Sequence, residues 1–224
     1  MLEVILDTET TGLSTRENHR IIEIGCIELK DQIATKNVFH SYLNPQRKIS
    51  EDAKKIHGYT DEFLLDKKPF SEIADDFIDF IKDKKIIIHN ADFDLSFLNY
   101  ELKLVNKKEI NKKNVIDTLE MARQKYPGAQ NSLDALCKRF NIDNSKRTKH
   151  TALIDCELLK EIYINLLGQK EPKLNLKSAE LVDPKFKDDN TSRKASRIIV
   201  KPSNEELKIH NNYLKTKLQK NFFN

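Results

Sequence analysis

The first residues with evident chemistry are two carboxylates at the end of an apolar run near the N-terminus. Residues 4–6 (VIL) are followed by Asp7 and Glu9, two positions apart. Side chains at i and i+2 of a β-strand point to the same face, so the two would lie side by side. Adjacent negative charges at the end of a buried strand are costly unless a cation neutralises them. The alternative is an ordinary strand that runs into a polar turn, and Asp-x-Glu alone does not separate the two.

Two further aspartates occur where helices should begin. Asp94 and Asp155 each precede a pair of apolar residues by three and four positions. Each therefore extends the apolar stripe of its helix that should face the core. A single aspartate at a helix start is also explained by the helix dipole. Four carboxylates together instead indicate a site for two divalent cations of the kind used in phosphodiester hydrolysis, because Mg²⁺ prefers oxygen ligands.

A histidine lies close to the last of these carboxylates. His150 precedes Asp155 by five residues and follows a polar, basic stretch, residues 144–149 (NSKRTK). This stretch should form a mobile loop beside the first turn of the helix that carries Asp155. A histidine near a metal site can accept a proton from water around neutral pH. An exposed loop histidine without a role is the alternative that the spacing leaves open.

Apolar periodicity indicates which elements position these side chains. We predict a strand before Asp7, further strands over residues 20–29, 38–43, 85–88 and 115–116, and helices over residues 71–81, 93–103, 118–125, 133–140 and 151–167. The first three strands should form an antiparallel meander. Strands that then alternate with helices indicate a mixed sheet covered by helices, which is an α/β architecture.

The composition is that of a soluble protein. Charged residues make up 33% and apolar residues 38% of the 224 residues. The three cysteines, Cys26, Cys137 and Cys156, form no C-x-x-C pair, which argues against a disulfide framework or zinc site and favours a reducing compartment. The sequence shows no signal-peptide pattern and no apolar run long enough to cross a membrane. We therefore expect a cytoplasmic protein.

The formal net charge of +4 is unevenly distributed. Residues 170–224 carry 13 Lys/Arg and 7 Asp/Glu, so the remaining 169 residues have a net charge of −2. Non-specific affinity for nucleic acid grows with the number of phosphates neutralised. The first 169 residues should therefore not hold nucleic acid by bulk electrostatics. A nucleic-acid substrate would need local metal contacts and a partner that delivers it.

The C-terminal quarter of the chain loses the periodic pattern. We predict a domain over residues 1–169, a flexible linker over 170–202 and a helix over 203–224. The helix should start at a capping box formed by Ser203 and Glu206. Its apolar side would comprise Leu207, Leu214 and Leu218. An apolar stripe on a tethered helix indicates docking on a partner, and a solvated tail is the alternative.

Three stretches resemble the motifs of a known nuclease family. Residues 7–12 (DTETTG), 89–94 (HNADFD) and 150–155 (HTALID) are similar, in order, to the three motifs of the DEDDh 3′–5′ exonucleases. The chain is most similar to the branch of this family formed by the proofreading subunits of bacterial DNA polymerase III. That similarity extends through residues 56–67, 131–137 and 143–148.

The resemblance implies a ribonuclease H-like fold with a mixed five-stranded sheet, and two divalent metal ions, Mg²⁺ or Mn²⁺. It also implies that His150 is the general base. Asp94 matches the motif position of the second stretch, whereas Asp92 falls at a variable place. The metal ligands implied are Asp7, Glu9, Asp94 and Asp155.

The resemblance also assigns residues to substrate binding. Asp52 and His57 fall where this family contacts the terminal nucleotide, together with Asp7, Glu9 and Asp155. His57 lies in an intact motif, but the preceding residues 49–55 diverge. His57 could instead shape a turn before Gly58, and Asp52 could be an exposed helix-start charge.

The function implied is removal of mismatched 3′-terminal nucleotides from DNA, as a subunit of the polymerase III core. The partners implied are the polymerase alpha subunit, bound through the C-terminal tail, and a theta-like subunit. Residues 171–176 (EPKLNL) resemble a peptide that binds the sliding clamp, of the form Gln-x-x-Leu-x-Leu. Leu174 and Leu176 match this form, but Glu171 stands in place of Gln, and an ordinary linker is the alternative. A free-standing exonuclease acting on RNA or repair intermediates, and a subunit that has lost catalysis, are the alternative functions.

Overall fold

The computed structural model describes residues 1–145, 147–168 and 202–216, with side chains of the last segment up to residue 213. The chain divides into two units, Met1–Leu174 and Asn175–Asn224. Several predictions fall outside the described residues: the linker up to residue 201, the clamp-like Leu174 and Leu176, and the side chains of Leu214 and Leu218.

A mixed five-stranded sheet forms the centre of the first unit. Its strands are β1 (Leu2–Thr10), β2 (Ile21–Lys30), β3 (Ile33–Tyr42), β4 (Lys85–Ile88) and β5 (Val115–Asp117). Their spatial order is β3-β2-β1-β4-β5. Strands β1 to β3 pair antiparallel, whereas β4 pairs parallel with both β1 and β5. The meander followed by parallel strands is the mixed sheet predicted from the sequence.

Helices cover both faces of this sheet. They are α1 (Glu51–His57), α2 (Asp61–Leu64), α3 (Phe70–Ile81), α4 (Ala91–Leu104), α5 (Thr118–Lys125), α6 (Leu133–Phe140) and α7 (Ala152–Leu166). Alternate residues of β1 separate the two layers: Val4 and Leu6 pack with α3 and α4, and Ile5 packs with α7. The alternation places Asp7 on the face that α7 covers.

The predicted helices and strands are confirmed, with three differences. Strand β3 begins at Ile33 rather than at residue 38, because the hairpin pairs Lys30 with Ile33 across two residues with positive φ. Helices α1 and α2 were not predicted. They have seven and four residues, too few to show helical periodicity.

The second unit contains α8 (Asn204–Thr216). The predicted capping box is present: Glu206 N donates to Ser203 Oγ at 3.2 Å, and Ser203 N donates to the Glu206 carboxylate at 2.7 Å. The apolar side chains of Leu207, Ile209 and Tyr213 are exposed. Within the described part of the chain, no helix has the length and apolar character needed to span a bilayer.

Candidate functional site

The end of β1 presents the first two predicted carboxylates. In the antiparallel register, Asp7 lies opposite Gly25 and Glu9 lies opposite Glu23 of β2. Asp7 is half-buried and Glu9 is buried. No described residue donates a hydrogen bond to either side chain. Both carboxylates are therefore held out of bulk water without the donors that normally compensate a buried charge.

The parallel pairing of β4 with β1 brings the third carboxylate to the same place. Asp94 lies in the first turn of α4, directly after β4, and is buried. Its Oδ1 accepts hydrogen bonds from Thr8 N at 3.1 Å and Thr8 Oγ1 at 2.7 Å. The residue between Asp7 and Glu9 thus fixes Asp94 beside both. Asp92 faces away, is exposed, and pairs with Lys112 at 2.5 Å.

The fourth carboxylate arrives with the N-terminus of α7. Asp155 is buried in its first turn, and Thr151 caps the helix through Ile154 N. A Cβ added at Gly25 would lie only 2.7–2.8 Å from the backbone of Ala152 and Leu153. Only a glycine on β2 therefore lets α7 approach the sheet closely enough to bring Asp155 to Asp7.

An arginine that was not predicted as a site residue contacts Asp155. Arg147 donates from Nε to Oδ1 at 2.5 Å and from Nη2 to Oδ2 at 2.7 Å, and from Nη1 to Asp134 at 2.8 Å. His150 Nδ1 lies 3.5 Å from Asp155 Oδ2 and 2.9 Å from Arg147 Nη2. The guanidinium thus contacts the two carboxylate oxygens that a cation would also use.

All seven predicted site residues line one cleft of about 1020 Å³. They are Asp7, Glu9, Asp52, His57, Asp94, His150 and Asp155. The prediction joined residues from four separate stretches of the chain. The structure brings these stretches together where β1 ends and where α4 and α7 begin.

The carboxylates of the cleft have strongly perturbed proton affinities. Burial, together with repulsion from the neighbouring carboxylates, raises the pKa of Glu9 to about 8 and the pKa of Asp7 well above its usual range. Burial also raises the pKa of Asp94 to about 7, although the hydrogen bonds from Thr8 partly oppose it. Burial acts in the same direction on Asp155, but hydrogen bonds from His150 and Arg147 outweigh it and lower its pKa.

This donor set fits divalent cations. Glu9, His150 and Asp155 each offer a ligand atom within 4.8 Å of the other two. Asp7 and Glu9 have free oxygens, and burial together with repulsion between the carboxylates raises the pKa of both. A hard, doubly charged cation would supply the missing positive charge, and carboxylate oxygens are the ligands it prefers.

The two predicted substrate-binding residues lie in different surroundings on α1. His57 is buried, stacks on Tyr59 at a centroid distance of 5.1 Å, and accepts a hydrogen bond from Tyr59 N. Its Nε2 is buried and has no hydrogen-bond partner among the described residues. Asp52 is exposed at the rim of the cleft and pairs with Lys55 at 3.0 Å. The unsatisfied Nε2 of His57 is a group that a bound ligand could pair with.

Glu23 is a second residue that sequence reasoning missed. Its carboxylate is fully buried behind Glu9 and accepts hydrogen bonds from Tyr59 OH at 2.8 Å and from Ala152 N at 3.0 Å, and His40 Nε2 lies 2.7 Å away. The signal was a glutamate inside the apolar strand 20–29. Arg147 lay in the basic loop noted before His150, but its contact with Asp155 depends on how that loop folds.

Comparisons with known proteins place the chain in a family. The family model described as "Exonuclease" matches residues 4–163. The DNA polymerase III subunit epsilon of Rickettsia felis is 48% identical over 222 residues, covering 97% of both chains. The subunit epsilon of Escherichia coli is 48% identical over 174 residues, covering 74% of this chain and 71% of the relative.

Solved structures agree with the fold. Exonuclease X in complex with 5′ overhanging duplex DNA is 28% identical, has a TM-score of 0.58, and is matched over 75% of this chain and 92% of that one. The nuclease domain of a DEDDh family member bound to rAMP is 20% identical with a TM-score of 0.65, over 75% and 92% of the two chains, a likeness of fold alone. DEDDh exonucleases use divalent metal ions. The chain therefore belongs to the exonuclease family, as a 3′–5′ exonuclease of the kind that forms the epsilon subunit of bacterial DNA polymerase III.

Proposed function

We propose that this protein removes mismatched 3′-terminal nucleotides from DNA as the proofreading subunit of a replicative polymerase. The observation that carries the proposal is the convergence of four carboxylates and His150 in one cleft. The chain is also 48% identical to subunit epsilon of Rickettsia felis over 97% of its length. Such a role belongs in the cytoplasm.

Asp7, Glu9, Asp94 and Asp155 would hold two divalent ions, Mg²⁺ or Mn²⁺. When bound, such ions lower the pKa of a water molecule and stabilise charge on both the attacking and leaving oxygens. Thr8 orients Asp94 through two hydrogen bonds, and the close approach of α7 to Gly25 fixes Asp155. Arg147 must release the Asp155 oxygens that an ion takes, and its bond to Asp134 can retain it nearby.

His150 is the proposed general base. Its side chain is 43% exposed at the cleft, so water can reach it, and Asp155 lies close enough to orient the ring. The imidazole accepts the proton of the attacking water as the new O–P bond forms. The bond between phosphorus and the 3′-oxygen of the preceding nucleotide breaks, and a nucleoside 5′-monophosphate leaves.

His57 and Asp52 are proposed to contact the terminal nucleotide. The partnerless Nε2 of His57 lies in the wall of the cleft, where a sugar or phosphate oxygen of the substrate could pair with it. A cleft that admits only a frayed end selects unpaired strands. A mismatched terminus costs less to unpair and should enter more often.

The C-terminal part is proposed to join the exonuclease to its assembly. In this scheme residues 1–169 form the exonuclease domain, residues 170–202 form a linker, and residues 203–224 bind the polymerase alpha subunit. The exposed apolar residues of α8 support this role. A theta-like subunit and a sliding clamp, the latter through Leu174 and Leu176, are further proposed partners.

The test is release of nucleotides from a labelled primer with a 3′ mismatch, with Mg²⁺ and after chelation. The wild-type chain should release nucleoside monophosphates only with the metal, and Asp7→Ala and His150→Ala should each reduce the rate by at least about 100-fold. Asp92→Ala, in the same motif as Asp94 but outside the cleft, is the matched control and should retain the rate. Full activity of Asp7→Ala would contradict the proposed site.

A further inference from the structure

A second, smaller cleft of about 460 Å³ lies beside the catalytic one. Its walls come from the chain around the 3₁₀ turn Thr15–Glu17 and from the loop between β3 and α1. The lining residues that matter here are Asn18, Arg20, Pro45, Arg47, Lys48 and Tyr100.

Two segments of the chain run from one cleft into the other. The first lines the catalytic cleft at Ser14 and the second cleft at Asn18, and Glu17 lines both. The second segment lines the smaller cleft at residues 45–48 and the catalytic cleft from Ser50 onward. Arg47 Nη1 donates to Glu17 O at 2.8 Å and so ties the segments together. The two clefts are therefore neighbouring parts of one surface path.

The charges along this path change sign. The catalytic cleft contains the four carboxylates, whereas the second cleft presents Arg47 and Lys48, neither of which pairs with a carboxylate in the described structure. The exposed carboxylate of Glu17 lies between them, on the side that the two clefts share, and offsets one of these two positive charges. Arg47 donates from Nε and Nη1 to backbone carbonyls, which leaves Nη2 available. Arg20, by contrast, is neutralised by the buried Glu101 at 2.6 Å. Two cations thus remain for an external anion.

The second cleft also has an aromatic wall. Tyr100 lines it, half-buried, and its hydroxyl donates to Asn18 Oδ1 at 3.2 Å, which fixes the orientation of the ring. Paired cations beside an aromatic ring are how proteins follow a single nucleic-acid strand, with phosphates on the cations and a base or sugar on the ring.

We infer that the second cleft is a binding site for the DNA strand upstream of the scissile bond, with Arg47 and Lys48 holding backbone phosphates. This inference rests on the proposed exonuclease function and extends its substrate site by at least one nucleotide. Because only two cations contribute, the site would position the strand without giving the domain a strong general affinity for DNA.

The test compares two substrates that differ in whether they reach the second cleft. A short single-stranded oligothymidylate would occupy both clefts, whereas the p-nitrophenyl ester of thymidine 5′-monophosphate has one phosphodiester and no upstream nucleotide. The double variant Arg47→Ala/Lys48→Ala should raise KM for the oligonucleotide roughly tenfold and lower the salt dependence of log KM by about one unit. Hydrolysis of the ester should not change.

Two further variants are controls for other causes of a raised KM. One controls for misfolding, and the other controls for a general loss of positive charge. Lys48→Ala alone removes an exposed side chain, so it should leave folding intact and give part of the same effect. Lys30→Ala/Lys36→Ala removes two charges elsewhere on the surface and should leave KM and its salt dependence unchanged. A double variant at Arg47 and Lys48 that behaves like this control, or that impairs both substrates equally, would overturn the inference. A wild-type protein inactive on both substrates would instead overturn the proposed function.

Discussion

Glu9 combines a proposed role as a metal ligand with a cost in stability. Its carboxylate is buried beside Asp155, Glu23 and Asp94, and its pKa is raised to about 8. A carboxyl group with a raised folded-state pKa favours the folded state below its unfolded pKa. That contribution is lost as the pH rises from about 4.5 to about 8, because ionisation is then easier in the unfolded chain.

We therefore predict that Glu9→Gln stabilises the metal-free protein at pH 8. The gain in the free energy of unfolding should reach roughly 2–4 kcal/mol at pH 8 and should vanish near pH 4.5, since one pKa unit corresponds to about 1.4 kcal/mol. Chemical denaturation with a chelator present, over this pH range, measures it.

The control for this prediction is Glu157→Gln on the exposed side of α7, which should leave stability unchanged at both pH values. Added Mg²⁺ should stabilise the wild type more than Glu9→Gln, because the variant lacks one of the proposed metal ligands. Equal stability of wild type and variant at pH 8 without metal would show that Glu9 is not strained by its surroundings.

At the scale of elements, the contact between α7 and β2 decides where Asp155 lies. Gly25→Ala would place a Cβ within 2.7–2.8 Å of the α7 backbone, which cannot rotate away as a side chain can. We predict a loss of about 1–3 kcal/mol in stability, because a packed interface must be forced apart. The folded variant should also lose most of its nuclease rate, as α7 carries Asp155 away from Asp7.

Thermal unfolding and the kcat of the folded variant measure these effects. Gly168→Ala is the matched control: its added Cβ meets no described residue within 4 Å, so we assign it only the cost of a φ of +71°. That cost is about 1 kcal/mol. Gly168→Ala should therefore lower the Tm without lowering kcat. A Gly25→Ala variant with normal kcat would mean that α7 does not set the position of Asp155.

Glu23 links the two elements that flank the catalytic cleft. One of its oxygens accepts from both Ala152 N at the start of α7 and Tyr59 OH beside His57. Glu23→Ala should destabilise the protein by roughly 2–4 kcal/mol, because buried donors are left without partners. Glu23→Ala should also reduce kcat. Glu23→Gln keeps an acceptor oxygen, so it should lose less stability and less kcat.

Glu28 provides the comparison on the same strand. It is also buried, but its partners are Lys84 at 2.6 Å, Thr35 and Asn37, which belong neither to α7 nor to the wall of the cleft. Glu28→Ala should therefore lower stability while the folded enzyme keeps its kcat. If the two glutamate variants lost kcat to the same extent, the effect of Glu23 would reflect general destabilisation rather than positioning of α7.

At the scale of the whole molecule, the proposed function assigns the chemistry to the domain and the recruitment to the tail. The first unit contains every predicted site residue, and the family model ends at residue 163. The Rickettsia felis relative nevertheless matches over 222 residues, so its similarity continues into the tail.

We predict that residues 1–169 cut a free single-stranded primer as fast as the full chain. The alpha subunit of the cognate polymerase should stimulate only the full chain, because the shortened one lacks α8. Nucleotide release from a mismatched primer, with and without the polymerase, measures this. Equal stimulation of both proteins would place the polymerase contact in the domain, and stimulation of neither would favour a free-standing exonuclease.

The sequence by itself determined the elements and the identity of the central residues. Alternating and helical apolar periods predicted five strands and the long helices, since burial of one face is a local property of the sequence. The motifs 7–12, 89–94 and 150–155 predicted the carboxylates and His150 that line the cleft. Helices α1 and α2 escaped prediction because such short helices depend on caps and packing rather than on periodicity.

Only the tertiary structure decided how distant segments meet. Three contacts join residues whose spacing in the sequence gives no sign that they meet. They are the bidentate contact of Arg147 with Asp155, the hydrogen bond from Ala152 N to Glu23, and the close approach of α7 to Gly25. Proton affinities were decided there too, because desolvation and repulsion depend on burial and distance in space. Residue types thus set which chemistry is available, and packing set which of those residues share one cleft.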